Sequence, residues 1–271
     1  MAWRGGARNK ARLGGAWQGK AGNTARHGMA WLGTARNKEF ILGRGKEKME
    51  QYSITLEGLT PLLMHNDNLA YNEKIKAWQT MPENKALSVP GDDRSPAWTW
   101  IGYLYHDGKN IGVASDNIMT MLREGGAKVP TGKKTETYKK QTQSGLMLDQ
   151  QQFDLYVNGN LIPFGGIKAL IGELDFNKHI ELAEELGFEL LVKRAKIGQA
   201  KHVRVRPMFR KWTLKGSLTV IDSELFGITE EVLKTILDQA GALCGLCDWR
   251  PSSPKAPGTF GKFAPTVKRI G

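Results

Sequence analysis

Cysteine is scarce in this sequence of 271 residues, and the lack of a second cysteine pair limits its metal chemistry. The two cysteines, Cys244 and Cys247, have the C-x-x-C spacing that can hold zinc or form a redox pair. A structural zinc site needs two further ligands, and the five histidines lie far from this pair in the sequence. We therefore expect reduced thiols, no bound metal and no other cofactor.

Long apolar runs and familiar catalytic motifs are also missing. No stretch of 18 apolar residues is present, which predicts a protein without a membrane span. The first residues lack the apolar segment of a secretory signal, so the sequence predicts a cytoplasmic protein. It contains no P-loop, G-x-S-x-G or H-E-x-x-H string. These absences favour a binding protein over an enzyme.

Positive charge is concentrated at the start of the chain. The sequence has 39 Lys and Arg against 27 Asp and Glu, a net charge of +12 at pH 7. Residues 1–48 contain eleven of the basic residues and only two acidic ones, Glu39 and Glu47. Residues 49–271 are therefore only mildly basic, and we expect any nucleic-acid footprint there to be local.

Residues 1–48 are rich in glycine and contain a near-repeat, in which residues 29–38 resemble residues 1–10. Neither copy has the hydrophobic periodicity from which a core is built. The pattern predicts a disordered basic leader, which could bind nucleic acid nonspecifically. The alternative is an upstream stretch included by a misassigned start, with Met49 as the true first residue, because the character of the sequence changes there.

From residue 49 onward the patterns predict an α+β domain. Apolar alternation and turn signals predict strands at 52–59, 98–105, 153–157, 188–192, 202–206, 208–220 and 259–267. Helical periodicity predicts helices at 74–80, 115–126, 177–186 and 230–240, with Ser115 and Thr229 as N-caps of the second and fourth. With 67–97 and 128–200 treated as insertions, we predict a ferredoxin-like (RRM-like) βαββαβ core.

Glycine and positive charge meet near the end of the chain. Gly258 and Gly261 follow Arg250 and open the last predicted strand, and Lys262 comes directly after Gly261. Glycine lets the backbone approach a phosphate chain closely or adopt a positive φ, and Arg and Lys contact phosphate. The stretch fits either a phosphate-binding loop or an ordinary helix end followed by turn glycines.

Three segments resemble the RAMP superfamily of CRISPR-associated proteins. Residues 52–64, with Thr60-Pro61-Leu62, resemble its first strand and "TPL" turn. Residues 111–123 resemble its strand-to-helix signature, and residues 241–263 resemble its C-terminal glycine-rich loop. The order and spacing match over residues 52–267, and the chain looks most similar to Cas7-type backbone subunits and to Cas7-like phage proteins.

The resemblance implies a protein that binds single-stranded RNA, or alternatively DNA, and assembles as a homo-oligomer along the strand. Other CRISPR-like or phage proteins are further implied partners. The implied contacts lie on a strand face, in the glycine-rich loop and on an inserted element that reaches the next subunit. The candidate residues are Arg204, Arg206, Arg210, Lys211 and Lys215 on the strands, Arg250, Gly258, Gly261 and Lys262 in the loop, and Lys133, Lys134, Lys139 and Lys140 on the inserted element.

Each of these assignments has a structural alternative. The strand cations equally fit a solvated sheet face. Four aromatic residues could stack on bases but also fit a core, namely Tyr103, Tyr105, Phe209 and Trp212.

Two other functions stay open at this point. His65 follows the first strand, where some RAMP processing nucleases keep a general base, so the protein could be a metal-independent endoribonuclease. Target-cleaving Cas7-type subunits use a loop aspartate with a metal, and Asp67, Asp92 and Asp93 lie in such a loop. Alternatively, the chain could be a phage structural or regulatory protein that uses this fold for protein contacts alone.

Overall fold

The computed structural model describes residues 49–197, 199–255 and 257–271. The predicted basic leader, residues 1–48, lies outside the described residues. The strands are β1 (Glu50–Gly58), β2 (Leu62–Leu63), β3 (Gly112–Ala114), β4 (Leu146–Leu148), β5 (Gln152–Val157), β6 (Asn160–Leu161), β7 (Glu189–Ile197), β8 (Ala200–Phe209), β9 (Trp212–Val220) and β10 (Phe263–Arg269).

The α-helices are α1 (Leu69–Thr80), α2 (Ser115–Gly126), α3 (Lys139–Gly145), α4 (Phe164–Ala169), α5 (Phe176–Glu185), α6 (Ser223–Phe226) and α7 (Glu230–Gln239). Short 3₁₀ helices cover Pro82–Asn84 and Ala97–Tyr103, and a π-helical turn, Ala240–Cys244, extends α7. The protein is therefore a mixed α+β structure, as expected. None of the described helices is long and apolar enough to cross a membrane.

The larger sheet has the strand order β10-β1-β9-β5-β3, with β4 also paired to β9 and β6 to β5. Its neighbouring strands are all antiparallel, and β1 and β9 pair from Glu50↔Val220 to Glu57↔Thr213. Along β1, Tyr52, Ile54 and Leu56 are buried while the residues between them are more exposed. This alternation confirms the first predicted strand and shows that one face of the sheet covers the core.

Helices α2 and α7 pack against each other and belong to the same core. A Cβ on Gly125 would lie 2.7 Å from the Ile236 carbonyl oxygen, so this glycine permits the close approach of the two helices. The Thr229 hydroxyl accepts a hydrogen bond from the Val232 N–H, which confirms the predicted cap of α7. Ser115, predicted as the cap of α2, is instead the first helical residue and donates its hydroxyl to the Gln150 carbonyl.

Two predictions about the chain between β1 and β9 need correction. Residues 98–105, predicted as a strand, mostly form the 3₁₀ helix Ala97–Tyr103, whose residues are all buried; a fully buried segment has no polar alternation that distinguishes its type. The range 128–200, predicted as an insertion, contributes β4 and β5 to the larger sheet, where both pair with β9. Its 128–145 part also contains helix α3.

The smaller sheet has the order β2-β8-β7 and contains a long two-stranded ribbon. Strands β7 and β8 pair antiparallel from Glu189↔Met208 to Ile197↔Ala200. We call residues 190–209 the cationic ribbon, because they include six Lys and Arg and no Asp or Glu. The predicted strand at 202–206 lies in this ribbon and not in the larger sheet.

Candidate functional site

The register of the cationic ribbon sorts its cations onto two faces. Directly paired residues of an antiparallel ladder share a face, so the pair Lys193↔Arg204 lies on the same face as Arg206, two residues further along β8. The opposite face carries the pair Lys196↔Lys201. Both faces of the ribbon are therefore positively charged.

The ribbon places like charges directly opposite each other at two positions, Lys193↔Arg204 and Lys196↔Lys201. Like charges at paired positions destabilise a sheet. Lys193, Arg194, Lys196 and Lys201 are exposed, and within the described residues no ion pair joins them to a carboxylate. At Lys196↔Lys201, therefore, no carboxylate of the described residues relieves the repulsion.

Arg204 is anchored by a buried carboxylate and is not a free cation. Its Nη1 donates to Asp93 Oδ1 at 2.7 Å. Asp93 Oδ2 accepts from the Tyr103 hydroxyl at 3.0 Å and from the Val205 N–H at 3.1 Å. These donors satisfy a carboxylate that is only 5% exposed. Arg204 would therefore join the predicted phosphate-binding row only as a cation that is already ion-paired.

The guanidinium of Arg206 is less completely paired than that of Arg204. Its Nη1 lies 3.1 Å from Asp248 Oδ2, and its guanidinium lies over the Trp249 ring, 5.0 Å from the centroid. The distance to Asp248 is that of an ion pair, yet Arg206 Nε and Asp248 Oδ2 are both buried without a hydrogen-bond partner. One donor of the guanidinium fork therefore remains unused beside a half-buried aromatic ring.

The backbone around Asp248 is strained. Cys247 and Trp249 have φ values of 60° and 51°, in the left-handed region that non-glycine residues rarely adopt. Each costs roughly 1–2 kcal/mol, and strain of this kind is found where the surrounding structure fixes a functional geometry. A hydrogen bond of 2.9 Å from the Asp248 N–H to the Leu63 carbonyl holds the segment against β2. The strain therefore falls on the two neighbours of Asp248, the residue that meets Arg206.

His65 lies beside this cluster. Its Nδ1 is 3.9 Å from Asp248 Oδ2, and its ring meets Tyr103 edge-on with centroids 4.7 Å apart. Partial burial and the nearby positive charge of Arg206 lower the pKa of His65, although Asp248 opposes the shift. The imidazole is therefore neutral at pH 7 and could accept a proton.

The two glycines predicted to contact phosphate, Gly258 and Gly261, form hydrogen bonds within the chain. The Gly258 N–H donates to the Arg250 carbonyl and the Gly261 N–H to the Pro61 carbonyl, at 3.1 and 2.8 Å. A Cβ on Gly258 would lie 2.1 Å from the Trp249 carbonyl oxygen, and one on Gly261 2.1 Å from that of Leu246. Both N–H groups are thus paired within the chain, and phosphate contact at these two glycines stays a prediction.

Arg250 joins its loop to helix α2. Its guanidinium donates to the Cys247 carbonyl at 3.2 Å, to Ser252 Oγ at 3.0 Å and to Glu124 Oε1 at 3.4 Å. Lys262 is half-buried, and its backbone N–H donates to Thr60 Oγ1 at 3.0 Å. Arg250 therefore has a structural role that its position in the sequence did not indicate.

The remaining predicted residues lie apart from the cluster around Arg206. Arg210 forms an exposed ion pair with Glu189, and the Lys215 ammonium lies over the Tyr156 ring. Five candidate lysines are exposed and form no ion pair with another described residue: Lys133, Lys134, Lys139, Lys140 and Lys211. Three aromatic candidates are buried and cannot stack on a base, namely Tyr103, Phe209 and Trp212; Tyr105 is half-buried.

Metal and thiol chemistry find little support in the described residues. No three His, Cys, Asp or Glu side chains among them lie close enough together to hold a metal ion. Cys244 and Cys247 are free and buried, and burial raises the pKa of the Cys247 thiol to about 12.

Sequence reasoning missed three residues of the cluster: Lys193, Asp248 and Trp249. Lys193 lies in a range interpreted as an insertion, although the absence of any acidic residue from 190 to 211 was a usable signal. Asp248 and Trp249 carry no local motif; only folding brings them to Arg206. No protein-family model and no curated protein matches the sequence.

Proposed function

We propose that this protein binds single-stranded nucleic acid, with RNA favoured over DNA, along the cationic ribbon. The observation that carries the proposal is the pair of like-charge positions on a ribbon without acidic residues. Phosphates placed between such cations would remove their repulsion and release counterions, which is the main source of nonspecific affinity.

Protection of an exposed sheet edge is the competing structural explanation. Lysines on an edge strand prevent pairing with another chain, and β7 is an edge strand. Strand β2 covers β8 only at Met208 and Phe209, so edge protection accounts for a charge on either strand near Lys201. It does not account for like charges placed directly opposite each other, because such pairs destabilise the ribbon itself. The pairing therefore favours an anionic ligand.

The arrangement of the larger sheet supports the preference for nucleic acid. In the order β10-β1-β9-β5, α2 precedes β5 and α7 connects β9 to β10. This is the arrangement expected of a ferredoxin-like core, and RRM-type domains use that core to bind RNA. On the resemblance to Cas7-type subunits, we further propose assembly of repeated copies along the strand in the cytoplasm, with CRISPR-like or phage proteins as partners.

Fluorescence anisotropy with labelled single-stranded RNA, single-stranded DNA and duplex RNA tests the proposal. If each subunit neutralises about three to five phosphates, log K falls against log salt with a slope of roughly −2 to −4. Electron microscopy of the same mixtures tests assembly. A protein that binds none of the three probes at low salt would contradict the proposal and would favour a role in protein contacts alone.

RNA cleavage at His65 is a second candidate function. The observation in its favour is a neutral imidazole close to Asp248 and Arg206, a set that contains a general base and a cation for phosphate. Denaturing electrophoresis of the incubated RNA, without metal and with Mg²⁺, tests it. Intact RNA after prolonged incubation under both conditions would exclude the endoribonuclease, whereas cleavage lost in His65→Ala would support it.

A further inference from the structure

We infer that Trp249 and Arg206 form a subsite for one nucleotide of a single strand, in which the base stacks on the indole and the adjoining phosphate binds the guanidinium. The inference rests on the proposed function and adds a requirement for an unpaired base. The subsite lies where the cationic ribbon meets the loop that follows α7. The charge of the ribbon alone would not predict a base-binding position there.

The unused donor of Arg206 is the first support. A buried donor without an acceptor costs free energy, and Arg206 Nε has none while Nη1 faces Asp248. A guanidinium suits two parallel hydrogen bonds to a phosphate. Because Nε is buried, a phosphate oxygen reaches it only when the guanidinium turns away from Asp248, which acts as the counter-ion that holds Arg206 in place when no strand is bound.

The placement of Trp249 is the second support. Its left-handed backbone conformation and its contact with Phe260, with ring centroids 6.0 Å apart, fix the half-buried indole beside Arg206. The Lys193 ammonium lies 4.7 Å from the centre of this ring, and Lys193 is exposed and forms no ion pair with a carboxylate of the described residues. An incoming base can therefore displace the ammonium from the ring, and the ammonium can then meet the phosphate.

A purely structural role for Trp249 makes a different prediction. If the indole only anchors its loop, its removal would lower stability and would weaken binding to every anionic strand alike. A stacking role instead weakens binding only where a base is present, since stacking on an aromatic side chain requires a base and the phosphates are contacted by the cations. Oligonucleotides with and without bases therefore separate the two roles.

The experiment compares Trp249→Leu, Trp249→Phe and wild type, with Trp78→Leu as a matched control at another half-buried tryptophan, on helix α1. The probes are a labelled oligouridine of about ten nucleotides and an abasic strand of equal length. We expect Trp249→Leu to bind oligouridine about tenfold or more weakly and the abasic strand as wild type does, with an unchanged salt slope. Trp249→Phe should recover most of the loss, and Trp78→Leu should match wild type.

The outcomes separate this inference from the proposed function. Equal weakening on both probes, or wild-type affinity of Trp249→Leu for oligouridine, would overturn the nucleotide subsite and leave ribbon binding intact. Failure of the wild-type protein to bind either probe would instead overturn the proposed function. If Trp249→Leu does not fold, the wild-type protein decides the question: a preference for oligouridine over the abasic strand supports the subsite, and equal affinities overturn it.

Discussion

The larger sheet and the cationic ribbon are both antiparallel, but they pair different kinds of residues. Strand β1 alternates buried apolar residues with more exposed polar ones, and its pairs with β9 include Leu56↔Leu214 within the core. The ribbon carries cations on both faces and pairs like charges twice. The pairs of the larger sheet stabilise the fold, whereas the like-charge pairs of the ribbon destabilise it. We therefore place the proposed binding function on the ribbon.

The glycine-rich loop before β10 packs against the rest of the chain, and we expect Gly261→Ala to have the largest effect on stability. Gly261 has a φ of 71°, and a Cβ there would lie 2.1 Å from the Leu246 carbonyl oxygen. We expect a loss of more than about 2 kcal/mol in the free energy of unfolding, because left-handed strain and a backbone clash add. Gly132→Ala is the matched control, with a φ of 81° and open space around it.

Urea unfolding monitored by circular dichroism measures both variants. The free energy of unfolding of the control should fall by only about 1 kcal/mol, because its substitution adds backbone strain without a clash. Equal losses in the two variants would show that the contact with Leu246 does not stabilise the fold.

Arg250→Ala should destabilise the same loop by a smaller amount, about 1–2 kcal/mol. The substitution removes the links to Cys247 and Glu124 and leaves partly buried acceptors without a donor. Arg94→Ala is the control, because Arg94 forms only an exposed pair with Asp92, worth less than about 1 kcal/mol. If the Arg250→Ala protein has wild-type stability but reduced RNA affinity, Arg250 contacts RNA and its structural role is excluded.

Acid should weaken the stable region through His179. The buried His179 accepts a hydrogen bond from Trp100 Nε1 at Nδ1, while its Nε2 lies 3.0 Å from the Glu173 carbonyl oxygen. Burial lowers the pKa of His179 in the folded protein below the ordinary value of 6.5. The unfolded chain therefore binds the proton first, and stability should fall as the pH drops below about 6.5.

Thermal unfolding between pH 8 and pH 5 tests the role of His179, with His179→Gln as the comparison. We expect the variant to be less stable at pH 8 but to lose less stability on acidification. A variant with the same pH dependence as wild type would assign the acid sensitivity to other groups, such as His65 and His106, whose pKa values burial also lowers.

The smallest expected effect is a gain in stability within the cationic ribbon. Lys196→Glu replaces a like-charge pair with an opposite-charge pair facing Lys201. We expect the free energy of unfolding to rise by about 0.2–1 kcal/mol while RNA affinity falls. Reduced stability together with unchanged RNA affinity would show that the repulsion is relieved in another way and that the ribbon is only a protected edge.

The sequence predicts those parts of the fold in which a local pattern decides the structure. The alternation at Tyr52, Ile54 and Leu56 predicts β1, and Thr229 predicts the start of α7. Asn158-Gly159 predicts the turn between β5 and β6, where both residues have positive φ as a tight hairpin requires.

The candidate site is less predictable, because long-range contacts form it. Arg206 was a candidate from its own strand, but its partners Asp248 and Trp249 lie in a loop after α7 and Lys193 lies on the neighbouring strand. The glycines that suggested a phosphate-binding loop are explained by close packing of the chain on itself. The resemblance to RAMP proteins implied a nucleic-acid partner, and the geometry moves the proposed contacts from the glycine loop to the ribbon and to Trp249.

The most direct test of the account compares two variants that each lose four positive charges. The ribbon variant combines Lys193→Gln, Arg194→Gln, Lys196→Gln and Lys201→Gln, and the control combines Lys74→Gln, Lys76→Gln, Lys85→Gln and Lys268→Gln. All eight residues are exposed. We predict that the ribbon variant binds single-stranded RNA about tenfold or more weakly with a shallower salt slope, while the control stays within about twofold of wild type. Equal affinities of the two variants would contradict the assignment of binding to the cationic ribbon.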